Sequence, residues 1–356
     1  MPTRAMQVAT LFGLWLVLGL AWAQRVEGDR AAAQGMYEAE VPVNSQSAGE
    51  RSRGFARALT DVLGKLSGDR SAAARPGVGQ ELRRAGDFVK SYDYRQDEGR
   101  SATGAPTFRT TLIVRFDQEE VDAIAATLGL PIWAEPRPKP VLWLAIDDGR
   151  GPRLVALGQT AAARAVLDRA RERGYRLGLP SGSAAEQAGV GAIWRGDAAA
   201  IARLSARYSP PIQLIGKLYR AQGGGWTADW TFVDHGKVLS QWSANQPDAR
   251  RAMASGADGA ADALSKKYAK PGAPTDPPGR YHVLVTGIDS SDDYLRLSGY
   301  LQGLSVVRRI TPLRASPGSL ELELDLATGL AGLKRAAAGG GVLVGGEGEP
   351  PVFQLR

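Results

Sequence analysis

Apolar positions recur at helical or strand spacing along most of the chain. Met36 to Val43 has an extended pattern, and Ser47 to Leu66 follows with Phe55, Leu59, Val62 and Leu66 at i, i+4, i+7 and i+11, while Glu50, Arg51, Arg53 and Arg57 fall largely off that stripe. This succession predicts a helix laid on a sheet. A second helix is predicted over Gln80–Ser91, then strands in SYDYRQ (91–96) and FRTTLIVRF (108–116), where Phe108, Thr110, Leu112, Val114 and Phe116 share one face. Asp117 caps the next helix, which carries Val121, Ile124 and Leu128 and is closed by Gly129 and Pro131.

Beyond Pro140, VLWLAIDDG (141–149) is an apolar strand ending in two carboxylates, and a helix over Thr160–Arg173 turns Val166, Leu167 and Ala170 inward before stopping at Gly174. Ile212 to Ala244 reads as a three-stranded antiparallel meander broken at Gly223–Gly225 and at Asp234–Gly236. A helix over Asp248–Tyr268 completes the unit. From Tyr281 the succession is strand, helix (290–302), strand (305–314), strand (319–326), helix (328–337) and short final strands at 341–344 and 352–355. That β-α-β-β-α-β order is the ferredoxin-like plan. In SLELELDL, Leu320, Leu322, Leu324 and Leu326 form a buried row and Glu321, Glu323 and Asp325 an outward one near Arg308, Arg309 and Arg314. Ser290 with Asp293 forms a helix-capping pair.

Two proline-rich passages, Leu130–Pro140 and Lys270–Gly279, separate these runs and read as linkers, the second as a mobile one. The expected organisation is a signal peptide at 1–23, an N-terminal α/β domain at 24–135, a central α/β domain with an antiparallel meander at 139–270, and an independently folding ferredoxin-like domain at 280–356. The fold class is thus mixed α+β and α/β, with two helix-on-sheet domains ahead of the ferredoxin-like one.

Three stretches in order, YEAEVPVNSQSAGERSRGFARALTDVLGKLSGDR, LIVRFDQEEVDAIAATLGLPIW and PVLWLAIDDG, resemble the DUF2066 family of exported proteins of unknown function, found mainly in Gram-negative bacteria. The resemblance implies an envelope location and α/β architecture. It brings no substrate and no catalytic residue.

The leader adds the cellular address. Arg4 supplies a positive start, Val8–Leu20 an apolar run short for a bilayer span, and Ala21-Trp22-Ala23 a small-residue cleavage site before Gln24. Cleavage leaves 333 of 356 residues and lowers the net charge from +7 to +6 by removing Arg4. The competing arrangement is an uncleaved anchor holding the same domains at the membrane. The chain has no Cys, hence neither a disulfide nor a lipid-accepting thiol after the signal. These features together predict a periplasmic protein with no lipid anchor and no transmembrane span after cleavage. Its dispersed arginines suit an envelope protein or cell-wall polymer as partner. No Lys/Arg-rich block points to nucleic acid.

Candidate chemistry is sparse. Asp147 and Asp148 stand at a strand end, where α/β sheets commonly hold ligands, and could bind a cation or act as acid and base; Asp-Gly is equally a turn signal. Trp226, Trp230 and Trp242 sit at even spacings, so Trp226 and Trp230 share a strand face, either an aromatic platform for a ligand or a core stripe. The two histidines, His235 and His282, lie at a turn and a strand start with no nucleophile beside them, and GGGVLVGGEGEP (339–350) lacks the Lys and following helix of a phosphate loop. No cofactor or metal motif occurs. The sequence therefore favours a non-catalytic binding or scaffolding protein of the periplasm; the alternative is a carboxylate- or metal-dependent hydrolase using Asp147 and Asp148. If the leader is cleaved after Ala23, the intact mass of envelope-purified protein corresponds to a chain beginning at Gln24; a mass that retains Met1–Ala5 refutes it.

Overall fold

The computed structural model describes residues 35–100 and 106–356, so the leader and its cleavage site lie outside the described residues. Three sheets with helices on their faces make a mixed α/β, multi-unit architecture. In the first, β1 (Glu38–Val43), β3 (Pro106–Phe116) and β2 (Val89–Arg100) are antiparallel in that order. Helix α1 (Ala48–Ser67) starts where the Ser47 hydroxyl accepts from the Glu50 amide and ends at Gly68 in the left-handed region. Its apolar stripe, Phe55, Leu59, Val62 and Leu66, is buried against the sheet. Each such side chain contributes about 1.5–3 kcal/mol through burial. The predicted helix over Gln80–Ser91 is shorter than its periodicity suggested: α2 covers Val78–Arg83, a 3-10 turn Ala85–Phe88, and Val89 already pairs with Phe116 in the sheet. Helix α3 (Gln118–Thr127) is capped by Asp117, which accepts from the Glu119 and Glu120 amides.

The central sheet has the order β5 (Arg153–Val155), β4 (Val141–Asp147), β6 (Ile212–Arg220), β7 (Trp226–Asp234), β8 (Lys237–Gln246). β4 and β6 are parallel and the rest antiparallel. One face packs on α4 (Arg164–Glu172) and α8 (Ala249–Tyr268) through Leu142, Leu144, Val166, Leu214, Phe232 and Leu264. The opposite face, with Val141, Trp143, Ile215 and Val233, is covered by the short helices α5 (Ala184–Ala188), α6 (Val190–Arg195) and α7 (Ala198–Leu204). These three helices were not foreseen. They hang on one carboxylate: Glu186, 2% exposed, accepts from Ser181 Oγ (2.8 Å), the Gly182 and Ser183 amides (2.7 and 2.8 Å) and the Tyr208 hydroxyl.

The C-terminal sheet corrects the ferredoxin-like expectation. Its elements are β9 (Gly279–Ile288), α9 (Ser291–Gly303), β10 (Val307–Ser316), β11 (Gly318–Leu326), α10 (Gly329–Gly340), β12 (Leu343–Glu347) and β13 (Val352–Leu355), and the sheet order is β10-β11-β9-β13-β12. A ferredoxin-like sheet has four strands, its last antiparallel to the first. Here β12 runs along the outer edge and the chain hairpins back, so β13 takes the inner position and pairs parallel with β9. The alternation in β11 is as read: Leu320, Leu322, Leu324 and Leu326 are buried, while Glu323 faces Arg280 at 3.6 Å and Asp325 faces Arg308 at 3.8 Å.

Lys270–Gly279 is pinned, contrary to the expectation of a mobile linker. Ile132 and Lys270 exchange two backbone hydrogen bonds, Asp276 accepts from the Ala331 amide at 2.7 Å, and Arg335 reaches both Pro274 O and Thr127 O. A Cβ on Gly272 would lie 2.1 Å from Gly129 O, so only glycine allows the two segments to touch. Beneath them the first and third sheets share one continuous apolar core, from Leu59 and Val78 through Leu128 to Leu301 and Leu333. The central unit joins this core through Arg173 at the end of α4. Its guanidinium, 5% exposed, donates to Asp258 Oδ1 (2.9 Å) and Asp262 Oδ1 (2.8 Å) of α8 and to Gly68 O (2.9 Å) at the end of α1.

Two outcomes follow from these buried charges. Arg173→Met leaves the Asp258–Asp262 pair partly uncompensated and should cost about 3 kcal/mol in urea unfolding; a loss under 1 kcal/mol would show that the clamp is dispensable. Burial alone would raise the Glu186 carboxyl, but hydrogen bonds from Tyr208, Ser181 and Ser183 outweigh it and hold the pKa at about 2. A depressed carboxyl stabilises the fold above its ordinary pKa of 4.5 and ceases to do so as pH falls toward 2. Glu186→Gln should therefore cost about 1–3 kcal/mol at pH 7, with the gap from wild type closing between pH 4.5 and pH 2 in pH-dependent melting.

Candidate functional site

The sequence-predicted carboxylates are engaged in local structure. Asp147 closes β4, and its Oδ1 accepts from the Gly149 amide at 2.8 Å and the Gly151 amide at 3.1 Å, a turn held by a side chain. Asp148 pairs with Arg153 at 2.8 Å. Among the described residues no group of three His, Asp or Glu side chains is placed to hold a metal ion.

The tryptophans converge on a different place. Trp230 and Trp242, directly opposite on β7 and β8, stack with centroids 6.5 Å apart and planes inclined by 21°. Both indole N–H groups donate to Ser255 on α8, Trp230 to its hydroxyl and Trp242 to its carbonyl, each at 3.1 Å. Helix α8 approaches this closely because its sheet-facing positions are small. A Cβ on Gly256 would stand 2.5 Å from the Trp230 ring and one on Gly259 2.3 Å from the Trp242 ring. Trp230 is buried in the core; Trp226 is half-buried, with the Arg220 guanidinium 4.7 Å above its ring. Trp242, on the edge strand β8, also faces an open concavity between that strand and α8.

That concavity is a groove of about 850 Å³ between the edge of β8 and the outer stripe of α8. β8 contributes Leu239 to Ala244, and α8 contributes Ser255, Asp258, Gly259, Asp262, Ala263, Lys266 and Lys267, residues that recur every three or four positions on one helix face. Its floor is the Trp242 ring and the small residues of the helix. Its two acids are already paired: Asp258 with Arg169 and Arg173, each at 2.9 Å, and Asp262 with Arg173 and with Arg70 at 3.0 Å. At the far end Asp234, 2% exposed, accepts from Lys267, from the Tyr268 hydroxyl at 3.0 Å and from His235. Burial pushes the Asp234 carboxyl up, but the hydrogen bonds from Lys267, His235 and Tyr268 prevail and hold it below the usual carboxylate range. Lys266 pairs with no carboxylate among the described residues and leaves the groove margin cationic.

Sequence reasoning singled out Trp242 but missed the groove, because a groove depends on which strand lies at the sheet edge. The signal was present in the run of Ser, Gly and Ala at helical spacing in ARRAMASGADGAADALSKKY, which marks a helix that lets another element come close.

The profile of a family described as a domain of unknown function (DUF8605) matches residues 31–134. This overturns the resemblance to DUF2066. Two of the three stretches that suggested it fall in this region, and their patterns, a strand before an amphipathic helix and a strand before an Asp-capped helix, are shared by many α/β proteins. No curated protein and no solved structure matches the chain.

Proposed function

We propose that the chain is an exported, non-catalytic binding protein of the Gram-negative periplasm that docks an envelope protein in the β8–α8 groove. The observation that carries this reading is the groove itself: a concavity of about 850 Å³, apolar along its floor, rimmed by charge and held on two regular elements. Ligand sites are typically concave, largely apolar and preformed in this way. The hydrolase alternative would need Asp147 and Asp148 turned toward a common reacting centre, whereas one carboxylate holds its own turn and the other an arginine. No helix among the described residues is long and apolar enough to cross a membrane, which suits a protein working beside the membrane through a partner.

The reading is tested with a photo-crosslinking amino acid at Leu239, on the groove rim, and at Leu313, exposed on β10 as a control. Irradiation of intact cells should give a discrete, protease-sensitive adduct from Leu239 and none from Leu313. Equal adducts from both positions, or none from Leu239, would defeat the proposal.

A further inference from the structure

Each of the three sheets has two edges, and five of the six carry features that discourage a further strand. β1 holds Glu38, Glu40 and Pro42, and its carbonyls at Glu38 and Pro42 are occupied by Lys65 Nζ (2.6 Å) and Arg57 Nη2 (2.9 Å). β2 is dense in charge, with Lys90, Asp93, Arg95, Asp97 and Glu98. β5 has only three residues, and β12 has five with a register shift at Gly345. β10 has Pro312, shifts in register around Arg308 and Leu313, and three arginines. Charge, proline, bulges and brevity are the usual ways in which an exposed edge is kept from pairing.

β8 lacks them over most of its length. After Lys237 and one irregularity near Leu239, Ser240–Gln246 keeps an unbroken register with β7 and contains no charged residue, no proline and no glycine. Among the described residues no backbone group in this stretch bonds to anything but β7. This bare edge borders the apolar groove, whose margin carries Lys266 with no carboxylate partner among the described residues, while Arg70 and Lys267 are paired with Asp262 and Asp234.

We infer that the groove takes its partner by strand addition: an extended segment of another protein pairs with Ser240–Gln246, seats alternate apolar side chains between Trp242 and Ala263, and carries an acidic residue that meets Lys266. The inference rests on the groove being the binding site and adds the partner's conformation and charge. Strand addition draws affinity from main-chain hydrogen bonds and specificity from pockets for every second side chain. The small residues of α8 supply such pockets, and the charged margin selects acidic over basic segments.

The experiment is a phage selection of random twelve-residue peptides on the chain from Gln24 to Arg356. Synthetic versions of the recovered peptides are then measured by fluorescence anisotropy and by amide exchange of the protein. The expected peptides alternate apolar and polar residues, are net acidic, and slow exchange in 240–246. N-methylation of every second amide should weaken them at least tenfold in one phase and little in the other, because only one edge of an added strand bonds to β8. Lys266→Glu, an exposed substitution, should weaken binding about two- to fivefold. Peptides that protect the groove but tolerate both methylation phases, or that prove helical or basic, overturn strand addition while leaving the groove as a binding site. Peptides that protect only other surfaces, or no recovered binders, overturn both. A self-associated chain whose 240–246 amides are protected without peptide would make a second copy the occupant and overturn the acidic partner.

Discussion

The arrangement of the units depends on one buried guanidinium. Arg173 ends α4, takes two carboxylates from α8, and donates to the last carbonyl of α1, so one side chain of 5% exposure fixes three helices from two sheet units. A charge taken out of water is tolerated only while its partners stay in place. The carbonyl end of α1 suits a cation as well, since the helix terminus leaves acceptors without partners there. The same interaction reaches the groove. By engaging Asp258 and Asp262, Arg173 with Arg70 and Arg169 cancels the acidity of the α8 stripe, and Lys266 sets the potential of the margin.

The groove is shaped by an unusual economy of side-chain size. Ser255, Gly256 and Gly259 let α8 lie against the stacked pair Trp230 and Trp242, and the outer positions Gly259 and Ala263 leave space beyond the ring. A helix with leucines at these positions would fill that volume and cover the edge of β8. The cost is helical propensity, since glycine destabilises a helix interior by about 1 kcal/mol relative to alanine. The Asp248 cap and the burial of Ala252, Ala257, Ala260, Ala261 and Leu264 offset it.

Much of the local architecture was legible because alternation and helical spacing record which face is buried. The stripe of α1, the row of leucines in β11 and the Asp117 and Ser290 caps all lie where the pattern placed them. The failures share one cause: they concern relations between segments far apart in the chain. The apolar character of the Gln80–Ser91 stretch could not show that Val89 would be claimed by Phe116 across the sheet. Composition marked Lys270–Gly279 as a linker, yet Ile132, Thr328 and Arg335 supply partners for its backbone. β13 pairs parallel to β9 because the turn over Gly348–Pro351 returns the chain, and nothing in VFQL records the direction of its neighbour. Asp147, Asp148 and the tryptophans were conspicuous as residue types, but which of them borders open space is decided by sheet order.

The shared core of the first and third sheets has a consequence for how the molecule forms. Gln80 reaches Val307 O and Arg335 reaches Thr127 O, contacts that close loops of more than 200 residues around the whole central unit. Closing such loops grows only slowly more costly with length, but it cannot begin until the distant segment exists. During synthesis, α1 and its sheet must wait with Val78, Leu128 and Leu130 uncovered until β9 to β13 arrive. The central unit, whose strands and helices are all contained between Val141 and Tyr268, has no such wait. The order of assembly is thereby written into the topology: the middle of the chain can close first, the two ends close last and together, and the interval between them is when exposed apolar surface is open to chaperones and to aggregation.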